Sequence, residues 1–373
     1  MSYRRKLFTC RELYNIEGTN DLFLKAVRES LAYHRANCPD YARILQHRAF
    51  DINCLQSVSD LYKIPAIPTV FLKSHALFSI PYERLLFKAT SSGTKGKPST
   101  AGLDAKSAYF ALRMVLRTFS YYKLFSVVPT NYIVLGYEPS PRNQMSAVKT
   151  AYATTLAAPA LHREYALKDT GTEYQLNMEG IKRALLRYEK AGFPVRFMGF
   201  PAYLHFLLQN LQESGIQLRL PKNSKIFLGG GWKQFFMQET SKGELYRLAE
   251  ETLGIKEENC KDFFGAVEHP ILYCDCKNHH FHVPVYSRVI IRDVKTLLPV
   301  ENGTPGLLNL VSPLVGSMPL VSIMTDDLAV MREGKQCGCG ISSPYFEVLG
   351  RSGLQGVKTC AAGAAELLGG MKL

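Results

Sequence analysis

The sequence predicts an α/β fold with a β-rich subdomain toward its C-terminal end. Three observations carry this. The opening third is helical in pattern, the middle alternates short apolar runs with amphipathic helices, and after residue 270 β-rich runs separated by turn residues take over. Strands alternating with helices give a sheet covered on both faces. Residues 1–350 read as one large domain, with the β-rich subdomain at about 270–350. Residues 351–373 form a short tail, too small to fold alone.

In chain order, Leu22, Phe23, Ala26, Val27 and Leu31 recur at helical spacing across 21–37, and Asn20 or Asp21 caps that helix. Pro65, Pro68 and Pro81 cut the next stretch into short extended pieces. A Ser/Thr/Gly/Lys segment occupies 90–100, and a helix follows over about 104–119. The middle gives a strand at 132–135, a helix at 177–190 and a strand at 195–198. A helix at 202–212 and a strand at 225–228 come next, the strand ending in Gly229, Gly230 and Gly231. A helix at 243–253 and a strand at 262–264 complete it. Beyond 270, 287–293 and 306–311 read as strands, with Glu301-Asn-Gly303 turning between them.

Of the 373 residues, 46% are hydrophobic and 21% charged, which supplies a sizeable core and excludes general disorder. Lys and Arg number 45 against 32 Asp and Glu, a net charge of +13. That excludes an acidic solvating tail and suits an anionic partner. The N-terminal segment has no apolar run of signal-peptide length, and no window approaches the ~18 apolar residues of a membrane span. The expectation is a cytoplasmic protein without a membrane span. Nine cysteines, an odd number, argue against a disulfide framework.

The sharpest local signal is Ala89-Thr-Ser-Ser-Gly-Thr-Lys-Gly-Lys-Pro-Ser99. Gly93 and Gly96 let backbone N–H groups turn toward an anion. The hydroxyls of Thr90, Ser91, Ser92 and Thr94 donate to phosphate oxygens, and Lys95 and Lys97 add charge-assisted contacts. Such composition also describes polar surface loops, and this is not a Walker A loop. The ordered run S-S-G-T-x-G-x-P-S is more specific. It resembles the phosphate-binding motif of adenylate-forming enzymes, the acyl-CoA synthetase-like superfamily.

Further segments follow in the order that resemblance requires. Phe264-Gly265-Ala-Val-Glu268 looks like the family's aromatic-Gly-x-Thr-Glu motif, with Val267 in place of Thr. The resemblance implies that Glu268 binds Mg²⁺ on the nucleotide phosphates and that Phe264 lies near adenine. Gly230 falls in the adenine-side glycine turn. Asp327 of Thr325-Asp-Asp327 matches the residue that holds the ribose, and Gly350-Arg351 matches the hinge, whose Arg reaches the nucleotide. Residues 1–350 then correspond to the adenylation domain, with ATP and Mg²⁺ as cofactors. The usual C-terminal domain with its catalytic lysine is replaced by 22 residues.

That shortened end, with a late cysteine, resembles the acyl-protein synthetases of the LuxE type. Those enzymes activate fatty acids for reduction to aldehyde, and use a C-terminal cysteine as acyl acceptor. The matching residue is Cys360. Its chemistry has a separate basis, since a helix beginning near Ala361 places Cys360 at a helix N-terminus, which favours thiolate. The implied partners are a carboxylic acid, in the first place a fatty acid, and an acyl-accepting protein such as a reductase or an acyl carrier protein.

Two cysteines and three histidines crowd Cys274-Asp-Cys276-Lys-Asn-His279-His280-Phe-His282, and Cys337-Gly-Cys339 follows about 60 residues later. Thiols from two segments plus one imidazole make a closed, structural Cys₃His zinc shell. Similarity to aryl-CoA ligases of the phenylacetate type favours Cys276, His282, Cys337 and Cys339, with Cys274 and His280 as competitors. Tyr137, Phe197, Phe200, Tyr203 and Leu228 are candidate walls of an acyl pocket.

Three activities compete. The first is ATP-dependent acyl-adenylate formation, with Lys95 and Glu268 at the phosphates, followed by transfer to Cys360. The second transfers the acyl group to coenzyme A or a carrier protein and leaves Cys360 structural. The third, a basic zinc module binding nucleic acid, leaves the ordered loop at 90–100 unexplained, so no nucleic acid is expected as a partner.

Overall fold

The computed structural model describes residues 2–90, 99–232 and 239–351. These residues form two compact units. One unites 1–121 with the chain from Gly265 onward, and the other is 122–264. The chain passes between them at 121/122 and 264/265.

In the unit 122–264, the strand order is Cys260–Ala266, Lys225–Gly229, Val195–Gly199, Thr130–Tyr137, Ala160–Asp169, Tyr174–Leu176. The neighbours are parallel, except that the last two pair antiparallel. Residues 130–136 are buried without a break, as expected of a parallel strand covered on both faces. On one face Ile133, Leu135, Phe197, Ile226 and Leu228 pack against Leu185, Leu204, Leu208, Leu245 and Leu253. Those partners come from the helices Met178–Ala191, Pro201–Glu213 and Lys242–Leu253. Pro201 occupies the first turn of its helix, where no N–H is missed. Gly192 and Gly254 close their helices in the left-handed conformation.

In the other unit, Asn20–Asn37 is the longest helix and buries Phe23, Ala26, Val27 and Leu31. Neither Asn20 nor Asp21 caps it. A 3₁₀ turn, Glu17–Thr19, runs into the helix, and the Asn20 side chain instead accepts hydrogen bonds from the buried Arg288 guanidinium at 2.8 and 3.2 Å. The next long helix is Ala105–Tyr121, with Asp104 accepting from the Lys106 and Ser107 N–H groups as a proper cap.

The main sheet of this unit runs Phe281–His282, Tyr345–Arg351, Ser322–Arg332, Gly306–Val311, Arg288–Arg292, all antiparallel. A short strand, Ile67–Pro68, adds parallel to Ser322–Arg332. Residues 306–325 are buried throughout, including the connection 312–321 between two strands. A buried connection must find partners for its backbone groups. Arg4 donates to the Leu314 carbonyl at 2.9 Å and His34 Nε2 to Val315 at 3.0 Å. Gly316 N–H donates to Ser107 Oγ at 2.8 Å, and Ser79 N–H to the Ser317 carbonyl at 2.8 Å.

Candidate active site and metal centre

The strands on either side of the phosphate segment form a hairpin. Phe87–Thr90 pairs antiparallel with Thr100–Leu103, and Thr90 faces Thr100. The hairpin is pinned at Gly102, whose carbonyl accepts from the Ser317 hydroxyl and whose N–H meets the Met318 sulfur at 3.3 Å. A Cβ at Gly102 would lie 2.6 Å from Leu85 Cδ1. Ser91, Ser92, Gly93, Thr94, Lys95, Gly96 and Lys97 lie outside the described residues, as does Cys360.

Directly after that segment, Ser99 is fully buried and its hydroxyl donates to Oε1 of Glu268, which is 6% exposed. The fold thus joins two motifs separated by 169 residues. Glu268 sits between two strands, and its neighbour His269 fixes the second. His269 Nε2 lies 3.0 Å from the Tyr273 hydroxyl, which lies 2.6 Å from Ser287 Oγ, and Ser287 donates to the Val311 carbonyl. Burial pushes the His269 imidazole down to about 3, so it is neutral here.

The same unit brings a second pair together. Asp327 and Arg351 are register partners on neighbouring strands. The Asp327 N–H donates to Thr325 Oγ1 at 3.2 Å, and Thr325 donates to the Leu308 carbonyl. Gly265 leaves room at the end of Cys260–Ala266, where a Cβ would meet the Ile271 carbonyl at 3.1 Å.

Gly230 and Phe264 belong to the unit 122–264. Gly230 and Gly231 have φ of +79° and +66°, so their N–H groups turn out of the strand direction just past its carboxyl end. Gly199 and Gly229 stand at the carboxyl ends of neighbouring strands, and Phe263 lies level with Gly229 on the next. The chain leaves Thr130–Tyr137 to one side for Ala160–Asp169 and to the other for Val195–Gly199, which makes this strand the topological switch point. Ligands of open α/β sheets bind in the crevice at such a point. Tyr137, Phe200 and Tyr203 lie there. The Phe200 and Tyr203 ring centroids are 6.2 Å apart, and the Tyr203 phenol is pushed up to about 12 by burial and by Tyr137. Phe197 and Leu228, in contrast, belong to the helix-covered core. Alternation along their strands puts them on that face.

The sulfur cluster is complete within the described residues. One donor atom from each of Cys276, His282, Cys337 and Cys339 lies within 4.8 Å of the others. Cys276 Sγ and Cys337 Sγ are 3.5 Å apart, and Cys339 Sγ is 3.2 Å from His282 Nε2. A tetrahedral zinc with its usual bond lengths separates its donors by about 3.5–3.8 Å, so the donor set fits the ion. The surroundings are also those of a ligand set. His282 Nδ1 donates to the Ser343 carbonyl at 2.7 Å, which turns the Nε2 lone pair to the thiols. The N–H groups of Asn278 and Ile341 donate to Cys276 Sγ and Cys339 Sγ at 3.3 and 3.4 Å. Gly338, at φ +69°, makes the turn between the two late cysteines. Cys274 stays in its strand, with its sulfur near the Asp275 carbonyl, and is not part of the cluster. His280 touches Cys337 Sγ at 3.2 Å without joining the four.

Sequence reasoning missed Ser99 as anything but a loop residue, and missed the His269–Tyr273–Ser287 relay. Its one available signal was the place of Ser99 directly after Pro98, at the end of the phosphate run. No helix among the described residues is long and apolar enough to cross a membrane.

Comparison with known proteins agrees with this layout. Solved structures of 2-hydroxyisobutyryl-CoA ligase superpose with TM-scores of 0.67 and 0.68 at 17% and 15% identity. They cover 92% and 91% of this chain and 77% and 69% of the ligase, which shows the adenylate-forming fold. The long-chain-fatty-acid–luciferin-component ligase of Vibrio harveyi is 25% identical over 357 residues, 93% of this chain and 88% of its own. Its counterpart from Aliivibrio fischeri is 25% identical over 366 residues, 95% and 91% of the two chains. The family described as acyl-protein synthetase, LuxE, matches residues 8–368. By that match over nearly its whole length, the chain belongs to the LuxE family of acyl-protein synthetases.

Proposed function

We propose that this protein activates a fatty acid with ATP, takes the acyl group onto Cys360 and passes it to a partner protein, a reductase or an acyl carrier. The single observation that carries the adenylation step is the buried contact of Ser99 with Glu268, which joins the phosphate hairpin to the candidate Mg²⁺ carboxylate. The family match and the fatty acid in the names of both bacterial relatives support the substrate.

In this reading the substrate carboxylate attacks the α-phosphorus of ATP, and pyrophosphate leaves. The run with Thr90, Ser91, Ser92, Thr94 and Lys95 holds the phosphates. Glu268 fits a hard cation, being a buried carboxylate that accepts from Ser99 at the end of the phosphate run. It would hold Mg²⁺, which would supply neutralisation of charge on the phosphates. Asp327 and Arg351 hold the nucleoside side, Gly230 and Phe264 the base. Tyr137, Phe200 and Tyr203 shape the acid's place at the switch point. The Cys360 thiolate then attacks the acyl carbonyl, AMP leaves, and a thioester keeps the activation. Cys276, His282, Cys337 and Cys339 hold a structural zinc that fixes their strands.

Intact-mass measurement after incubation with ATP and a long-chain acid tests the scheme. The expected result is an acyl adduct that Cys360→Ser abolishes while ATP–pyrophosphate exchange persists. Exchange without any adduct, with product formed on coenzyme A or a carrier thiol, would replace the Cys360 step by direct transfer.

A further inference from the structure

We infer that Ser99 is a positioning residue for Glu268, and that its hydroxyl couples the phosphate hairpin to the divalent-cation site. The inference rests on the reading of Glu268 as the cation carboxylate.

Ser99 is the first described residue after the phosphate run and directly precedes the strand Thr100–Leu103. Its backbone is therefore continuous with that strand. Its side chain is tied to Glu268 instead. Both groups are buried, Ser99 completely. A buried carboxylate needs hydrogen-bond donors, and a hydroxyl bond to a charged acceptor is among the stronger ones. The terminal carboxylate torsion of a free Glu is broad. A donor on one oxygen removes that freedom and sets how the group meets a cation. Linkage makes the effect reciprocal: if the cation improves ATP binding through Glu268, ATP improves cation binding by the same factor.

The hairpin base is independently immobilised at Gly102 by Ser317 and Met318. Ser99 is thus not needed to hold the hairpin to the sheet. Its distinct contribution is the link to Glu268.

The test measures ATP affinity of the full chain by calorimetry, without acid, in Mg²⁺ and in excess chelator. The readout is the ratio of the two dissociation constants. Ser99→Ala is expected to shrink the Mg²⁺-dependent gain by about ten-fold, with ATP affinity in chelator little changed. Ser99→Thr keeps the hydroxyl and restores the gain. Ser99→Cys keeps the volume with a far weaker donor, and carries the test should the alanine variant not fold. Glu268→Gln is the reference and abolishes the gain. A full Mg²⁺ gain in Ser99→Ala or Ser99→Cys, beside its loss in Glu268→Gln, overturns the Ser99 inference alone. A full gain in Glu268→Gln overturns the Glu268 reading itself.

Discussion

Cys337→Ser removes one of the four donors of the sulfur cluster and leaves the other three in place. The consequence can be worked from the chain path. Cys276 and Cys337 are 61 residues apart in sequence, and their sulfurs are 3.5 Å apart in space. An ion holding both acts on the unfolded chain as a cross-link does. For a loop of that length, the chain-entropy treatment gives about 4 kcal/mol at 25 °C. The protein purified without chelators is expected to carry about one zinc per chain by elemental mass spectrometry. Stripping it should lower the unfolding free energy in urea by about 4 kcal/mol, and melting by several degrees. Cys337→Ser should lose the metal and show the same loss, after which chelator has no further effect. Cys274→Ser, outside the cluster, should keep its zinc. A folded, essentially metal-free wild type would refute the reasoning. So would zinc removal that leaves the urea midpoint unchanged.

Two further outcomes concern stability. Burial holds His34 down at about 4, with Nδ1 accepting from Ser79 and Nε2–H donating to Val315. Its folded value is depressed, so between pH 6.5 and 4 the unfolded chain binds more protons and stability falls as pH falls. The full contribution of His34 is about 3 kcal/mol, lost across that window. His269 adds a second loss of the same sign. Urea midpoints at pH 7 and pH 5 check this, and His34→Gln should flatten the slope; an unchanged slope refutes it. Gly199→Ala should destabilise by about 2–4 kcal/mol, because φ is +134° and the new Cβ would lie 2.3 Å from the Leu135 carbonyl. Urea unfolding with wild-type stability would show that the strand end relaxes.

The parts of the fold legible in the sequence are those whose burial is one-sided or complete. Continuous apolar runs announced the strands at 130–137, 195–199 and 225–229, and helical spacing announced the helices packed on them. Ala160–Asp169 escaped because most of its residues are only half-buried or exposed, so its sequence carries no continuous apolar run. Ser322–Arg332 escaped because Asp326 and Asp327 interrupt its apolar pattern, whereas Asp327 is held in the ladder against Arg351. Within the sulfur cluster, residue types were legible and similarity to aryl-CoA ligases favoured Cys276 over Cys274, but the chain geometry that makes the choice was not legible. That choice is made by a reversal over 276–280, where Cys276 N–H bonds back to the His280 carbonyl and His279 adopts φ +58°. The contact of Ser99 with Glu268 spans 169 residues, and no local pattern encodes it.

The strand Tyr345–Arg351 ends opposite Asp327. Cys360 lies nine residues further on. Whatever shape those residues take, a fully stretched chain carries the thiol no more than about 30 Å from that point. On the proposed transfer through Cys360, that distance, measured from beside the candidate ribose-binding residue, bounds every position at which the acyl group is loaded or surrendered, and a receiving protein has to bring its own acceptor within it.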